Sequence, residues 1–81
     1  MRNDWVYIAH MIEMSKKAIQ MLRGIERKSY HKNEILQFAV TRAIEVIGEA
    51  AIHVPEKTQE QYPDVPWREI IGMRHRIVHD Y

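Results

Sequence analysis

The 81-residue chain contains no cysteine, so neither a disulfide nor a thiolate zinc site can hold it together. Three prolines and three glycines are too few for a loop-rich or fibrous chain, and no low-complexity segment is present. No apolar run approaches the roughly 18 residues that a membrane-spanning helix requires. The opening stretch, Met1-Arg2-Asn3-Asp4-Trp5, becomes charged too early for a signal peptide. An excess of one charge is also missing. Twelve Lys+Arg against eleven Asp+Glu leave a net charge of +1, so any nucleic-acid contact must rest on a local basic patch. These absences predict a soluble, cytoplasmic protein with no membrane association.

What is present is helical periodicity. Apolar residues make up 46% of the chain, enough for one packed domain spanning residues 1–81. Asn3 or Asp4 can cap a first helix running to about Arg23, where Gly24 supplies a stop. Residues 25–32 read as a charged connector. Asn33 then caps a second helix reaching about His53, with Glu34 in its first turn, where it suits the helix dipole. On that helix, Gly48 and the neighbouring alanines allow another helix to come close. Pro55 ends it, and residues 56–61 form at most a short turn of helix. Tyr62-Pro63-Asp64-Val65-Pro66 is a rigid corner, after which Pro66 opens a third helix that has not visibly ended at Tyr81. No β-type alternation appears. The fold class is all-α, an antiparallel helical bundle.

The apolar faces of the first two helices are broad. Trp5, Ile8, Met11, Ile12, Met14, Ala18, Ile19, Met21 and Leu22 spread over about 200° of the first, wider than the stripe one core requires. The second helix, from Ile35 to Ala51, is similar. That is more apolar surface than an 81-residue monomer can hide, which predicts either the poorly shielded core of a truncated chain or, the sharper expectation, a symmetric homodimer.

The closing octet, Arg74-His75-Arg76-Ile77-Val78-His79-Asp80-Tyr81, carries the chemistry. At about 100° per residue, Arg74 falls in the middle of the apolar stripe made by Trp67, Ile70, Ile71, Val78 and Tyr81. A permanently charged guanidinium there must be paired, with Glu45 or Glu49 as candidates, or must face an anion. His79 lies about 140° round from it, on the same side as His75. Two histidines four residues apart could share a metal. With no cysteine and no obvious third ligand, no metal or other cofactor is expected. Arg42, Glu45 and Glu49 read as a structural ion-pair cluster, Trp67 as the anchor of the third helix, and His10, His31 and His53 as solvated.

Arg74, four residues, then His79-Asp80-Tyr81 resembles the R-x4-H-x-Y motif of HepT-like HEPN proteins, toxins of HepT/MntA-type toxin–antitoxin pairs. Two further stretches resemble the same family: residues 39–50 (Ala-Val-Thr-Arg-Ala-Ile-Glu-Val-Ile-Gly-Glu-Ala) and the run from Tyr62-Pro63-Asp64-Val65-Pro66-Trp67 to Ile70-Ile71-Gly72-Met73-Arg74. The resemblance implies a dimerising helical bundle with a composite site where the motifs of two subunits face each other. It implies a metal-independent endoribonuclease that cuts single-stranded RNA through attack by the 2′-hydroxyl. Arg74 would hold phosphate charge, His79 would move the proton, and His75 would assist. The implied partner is a minimal nucleotidyltransferase antitoxin that neutralises the toxin by AMPylation of Tyr81. The family continues past the tyrosine into a further helix, so the resemblance also implies a bundle truncated before that helix. A non-catalytic dimerisation module that binds a nucleotidyltransferase or a nucleotide is the alternative.

Overall fold

A computed structural model describes residues 4–80, with side chains through Ile77. Its helices in chain order are α1 (Asp4–Leu22), α2 (Arg27–Lys32), α3 (Glu34–Ile52), α4 (Glu56–Gln61) and α5 (Trp67–Asp80). There is no strand among the described residues. The all-α bundle expected from the periodicity is therefore what forms. No helix among them is long and apolar enough to cross a membrane.

The helix ends follow the local chemistry. Gly24, at φ 72°, takes the left-handed conformation that turns the chain out of α1. A β-carbon there would meet nothing, so the demand is on the backbone and not on space. Asn33 serves two helices at once. Its backbone N–H donates to the Tyr30 carbonyl at the end of α2, and its side-chain oxygen accepts from the Leu36 N–H at 3.0 Å, capping α3. Beyond α3, the Gln59 side-chain amide donates to the Val54 carbonyl at 3.0 Å, covering a group the helix end leaves over. The Thr58 hydroxyl donates to Asp4 Oδ2 at 3.2 Å, tying α4 to the start of α1.

Two expectations need correction. Residues 25–32 are not merely a connector, because Arg27–Lys32 form α2. Six residues are too few to register a helical period, and this helix buries no residue fully. It is held by its neighbour: the Gln37 side-chain amide on α3 donates to the Tyr30 carbonyl at 2.9 Å. Pro66 also lies just outside the third helix, which begins at Trp67, with the Pro66 carbonyl accepting from the Ile70 N–H.

α3 is the central helix, with α1 and α5 both packed against it. α1 runs antiparallel to it, since Tyr7 near the start of α1 meets His53 at the end of α3. The core is built from small side chains. Met11, Ala50, Ala51 and Val54 form its buried centre, with Ile8, Ile47, Trp67, Ile70 and Ile71 closing round it. The Trp67 indole N–H donates to the Tyr62 carbonyl at 3.0 Å, so the residue does anchor the start of α5. Large apolar residues remain outside: Trp5 is 60% exposed, Ile19 61%, Phe38 68% and Ile35 83%.

α3 and α5 approach closely at Gly48. A β-carbon on Gly48 would overlap Arg74 Cβ and come within 2.8 Å of Arg74 Cγ and 3.3 Å of the Ile70 carbonyl. Gly72, on α5, has open space instead. The two glycines should therefore respond with opposite signs. Gly72→Ala should stabilise the chain by roughly 0.5–1 kcal/mol through lower unfolded-state entropy. Gly48→Ala should destabilise it by about 1–3 kcal/mol, because the added methyl must push the helices apart. Urea unfolding of both variants decides the matter, and stabilisation by Gly48→Ala would be incompatible with this helix contact.

Candidate functional site

Gly48 sets where the arginine goes. With no side chain opposite, the stem of Arg74 lies directly on α3, and its guanidinium emerges beside the next residue, Glu49. Arg74 Nη2 is 3.0 Å from Glu49 Oε2, and the arginine side chain is 27% exposed. This is the pairing that an arginine on an apolar stripe requires, and of the two candidate acids the fold selects Glu49. Arg74 keeps further N–H donors beyond the one turned to Glu49.

Glu49 has a second partner. Its Oε1 lies 3.4 Å from Nε2 of His53, one turn further along α3. The imidazole is held on another side by Tyr7 of α1, whose ring lies 5.1 Å away at an interplanar angle of 21°. Arg42 and Glu45 pair loosely at 3.9 Å nearer the start of the helix. So the expected ion-pair cluster is divided: Glu45 goes with Arg42, while Glu49 faces Arg74 and His53.

These groups line a cleft of about 420 Å³ where α1, α3 and α5 meet. Tyr7 and His10 come from α1; Arg42, Glu45 and Glu49 from α3; His53 from its end; Arg74 from α5. A planar guanidinium at such a place suits two-point contact with phosphate oxygens. Among the described residues, no three His, Cys, Asp or Glu side chains stand close enough to hold a metal ion.

The expected site residues are distributed unevenly. Arg74 is in the cleft. His75 lies on an exposed side of α5 and is not part of the cleft lining. His79 is carried on the last turn of α5, but its side chain and Tyr81 lie outside the described residues. His53 was expected to be solvated and is instead half-buried between Glu49 and Tyr7. Its four-residue spacing from Glu49 was visible in the sequence. The stacking on Tyr7 was not, since it exists only once α1 lies antiparallel on α3.

An all-α bundle with a polar cleft joining arginine, carboxylate and histidine is thus the class of protein that the fold and site define. The chain belongs to the HepT-like ribonuclease family: residues 11–81 match the family described as Ribonuclease HepT-like. Its relatives include a candidate RNase of Caldanaerobacter subterraneus subsp. tengcongensis, 33% identical over 81 residues, which span 100% of this chain and 72% of that protein. A candidate RNase of Methanocaldococcus jannaschii is 31% identical over 80 residues, 99% of this chain and 73% of the other. A protein of Thermococcus cleftensis named probable ribonuclease HepT is 33% identical over 75 residues, 93% of this chain and 68% of its own length. No solved structure matches the chain.

The Arg74–Glu49 pair has one partner 53% exposed, so it contributes modestly to stability. Glu49→Gln should change the unfolding free energy by no more than about 1 kcal/mol, and high salt should shrink the difference. Urea unfolding at two ionic strengths measures this. A loss of several kcal/mol would show that the pair is a structural element of the fold.

Proposed function

We propose that the chain is the toxin of a HEPN/nucleotidyltransferase pair, a metal-independent endoribonuclease that cuts single-stranded RNA in the cytoplasm. The observation that carries this reading is Arg74, half-buried in a polar cleft with one donor on Glu49 and others left to meet an anion. Membership of the HepT-like ribonuclease family supports it, as do relatives named as ribonucleases.

Cleavage by internal transfer needs a base for the 2′-hydroxyl proton, an acid for the leaving 5′-oxygen, and positive charge on the phosphorane between the two steps. Arginine supplies the charge because it never gives up its proton. Histidine suits proton transfer because it titrates near neutrality. In this reading Arg74 holds the phosphate, His79 transfers the proton, and His75 assists in orientation or charge. Arg74 and His79 leave α5 about 140° apart, so a two-fold axis that faces two copies assembles the set more readily than one chain does. The uncovered apolar faces carrying Trp5, Ile19, Ile35 and Phe38 support such a homodimer. A nucleotidyltransferase antitoxin would act on Tyr81, the motif tyrosine, by AMPylation.

The test is incubation of the protein with single-stranded RNA and EDTA. Wild type should yield fragments ending in 2′,3′-cyclic phosphate and 5′-hydroxyl. Arg74→Ala and His79→Ala should each lower kcat/KM by roughly 10²–10⁴-fold. RNA left intact by the wild type, or cut equally well by His79→Ala, overturns the reading. RNA or nucleotide binding that Arg74→Ala abolishes, with no cleavage by the wild type, would establish the non-catalytic binding module instead.

A further inference from the structure

His53 stands in the same cleft as Arg74 and is joined to it by a single carboxylate. Glu49 Oε1 is 3.4 Å from His53 Nε2, while Glu49 Oε2 is 3.0 Å from Arg74 Nη2. The Tyr7 ring, 5.1 Å away and nearly parallel, fixes the imidazole from another direction. Two independent contacts thus set the orientation of the ring, and its side chain is still 39% exposed. The other histidine of the cleft, His10, makes no ion pair among the described residues. His53 is therefore the cleft histidine with a carboxylate behind it, the arrangement that orients an imidazole and stabilises the imidazolium formed when it takes a proton.

We propose that His53 is a further proton-exchanging residue of this site. With Nε2 held by Glu49, Nδ1 accepts the 2′-hydroxyl proton of a ribonucleotide whose phosphate sits at Arg74. The proposal rests on the ribonuclease reading and assigns within it a residue that the R-x4-H-x-Y motif does not contain. As the proton moves to Nδ1, the 2′-oxygen forms its bond to phosphorus. The bond from phosphorus to the 5′-oxygen then breaks, its electron pair leaves on that oxygen, and His79 supplies the proton. The products are a 2′,3′-cyclic phosphate and a 5′-hydroxyl, and exchange with water returns both histidines to their starting states. Arg74 meets the phosphorane oxygens with donors not turned to Glu49. Glu49 touches His53 and Arg74 and not the RNA, which makes it a positioning residue. The remaining charged or titratable groups lining the cleft are Tyr7 and His10 on α1 and Arg42 and Glu45 on α3.

The experiment compares wild type, His53→Gln, His53→Phe and Glu49→Gln in RNA cleavage with EDTA, from about pH 5 to about pH 9. His53→Phe keeps a ring against Tyr7 but cannot carry a proton, so it separates packing from proton exchange. Both His53 variants should lose roughly 10²–10⁴-fold in kcat with little change in KM, together with one limb of the wild-type pH profile. Glu49→Gln should lose less and displace that limb. A DNA oligonucleotide of the same sequence lacks the 2′-hydroxyl, and it should bind wild type and His53→Phe alike. On the wild type itself, the NMR signals of the His53 ring should move when that DNA is added; signals that stay in place overturn the assignment. If the wild type cuts no RNA, the ribonuclease reading falls and this proposal with it. If the wild type cuts and a folded His53→Phe cuts at the same rate with the same pH profile, the role of His53 alone is overturned.

Discussion

The close approach of α5 to α3 at Gly48 is the constraint on which the rest of the site depends. Because Gly48 has no side chain, the aliphatic stem of Arg74 occupies the space a β-carbon would fill, and α5 sits correspondingly deep on α3. That depth brings the guanidinium out beside Glu49 and not over the apolar residues of its own stripe. A charge placed by sequence among apolar neighbours is thereby paired at the edge of the core, where its desolvation is partial. The order of contacts that follows is short: Arg74 to Glu49, Glu49 to His53, His53 to Tyr7. One residue of α5, two of α3 and its cap, and one of α1 become a single connected set.

The same economy of side-chain size governs the core. Ala43 and Ala51 are essentially buried, and Ala50 and Val54 nearly so, while larger apolar residues such as Ile35 and Phe38 lie in the open. Small residues in the central helix let both flanking helices approach closely, and the gain is dispersion between backbones and short side chains. The cost is that much of the apolar surface of α1 and of the start of α3 finds no cover within one chain. Such faces are normally hidden by another protein surface. In the proposed assembly a second copy covers them.

Much of this was readable before any coordinates. Asn33 was recognisable as a cap because its side chain can accept from the N–H groups of the following turn, and it does so at Leu36. Gly48 among alanines signalled that another helix could come close, and Arg74 on an apolar stripe signalled an ion pair or a bound anion, because a charge there is costly without a partner. Family membership was legible in three stretches taken together, residues 39–50, the run from Tyr62 to Arg74 and the closing motif from Arg74 to Tyr81, and is borne out by the match over residues 11–81. Less legible was α2, a six-residue helix with no buried residue, held by Gln37 of a different helix. The stacking of His53 on Tyr7 was not legible, because that contact comes from α1, distant in sequence, although the side chain keeps part of its solvent exposure.

The sequence by itself determined the elements and the chemistry available to them: where the long helices begin and end, that a glycine admits a neighbouring helix, and that an arginine on an apolar stripe needs an acid or an anion. Those are local properties, set by caps, periodicity and the cost of an unpaired charge. Only the tertiary structure decided which acid Arg74 meets, and that the same acid also holds a histidine stacked on another helix. The reason is geometric. Glu45 and Glu49 are equivalent as charges, and the choice between them depends on how far α5 slides along α3. That slide is set by the packing of Ile70 and Arg74 against Gly48, and no local pattern says which residues of α5 meet that glycine.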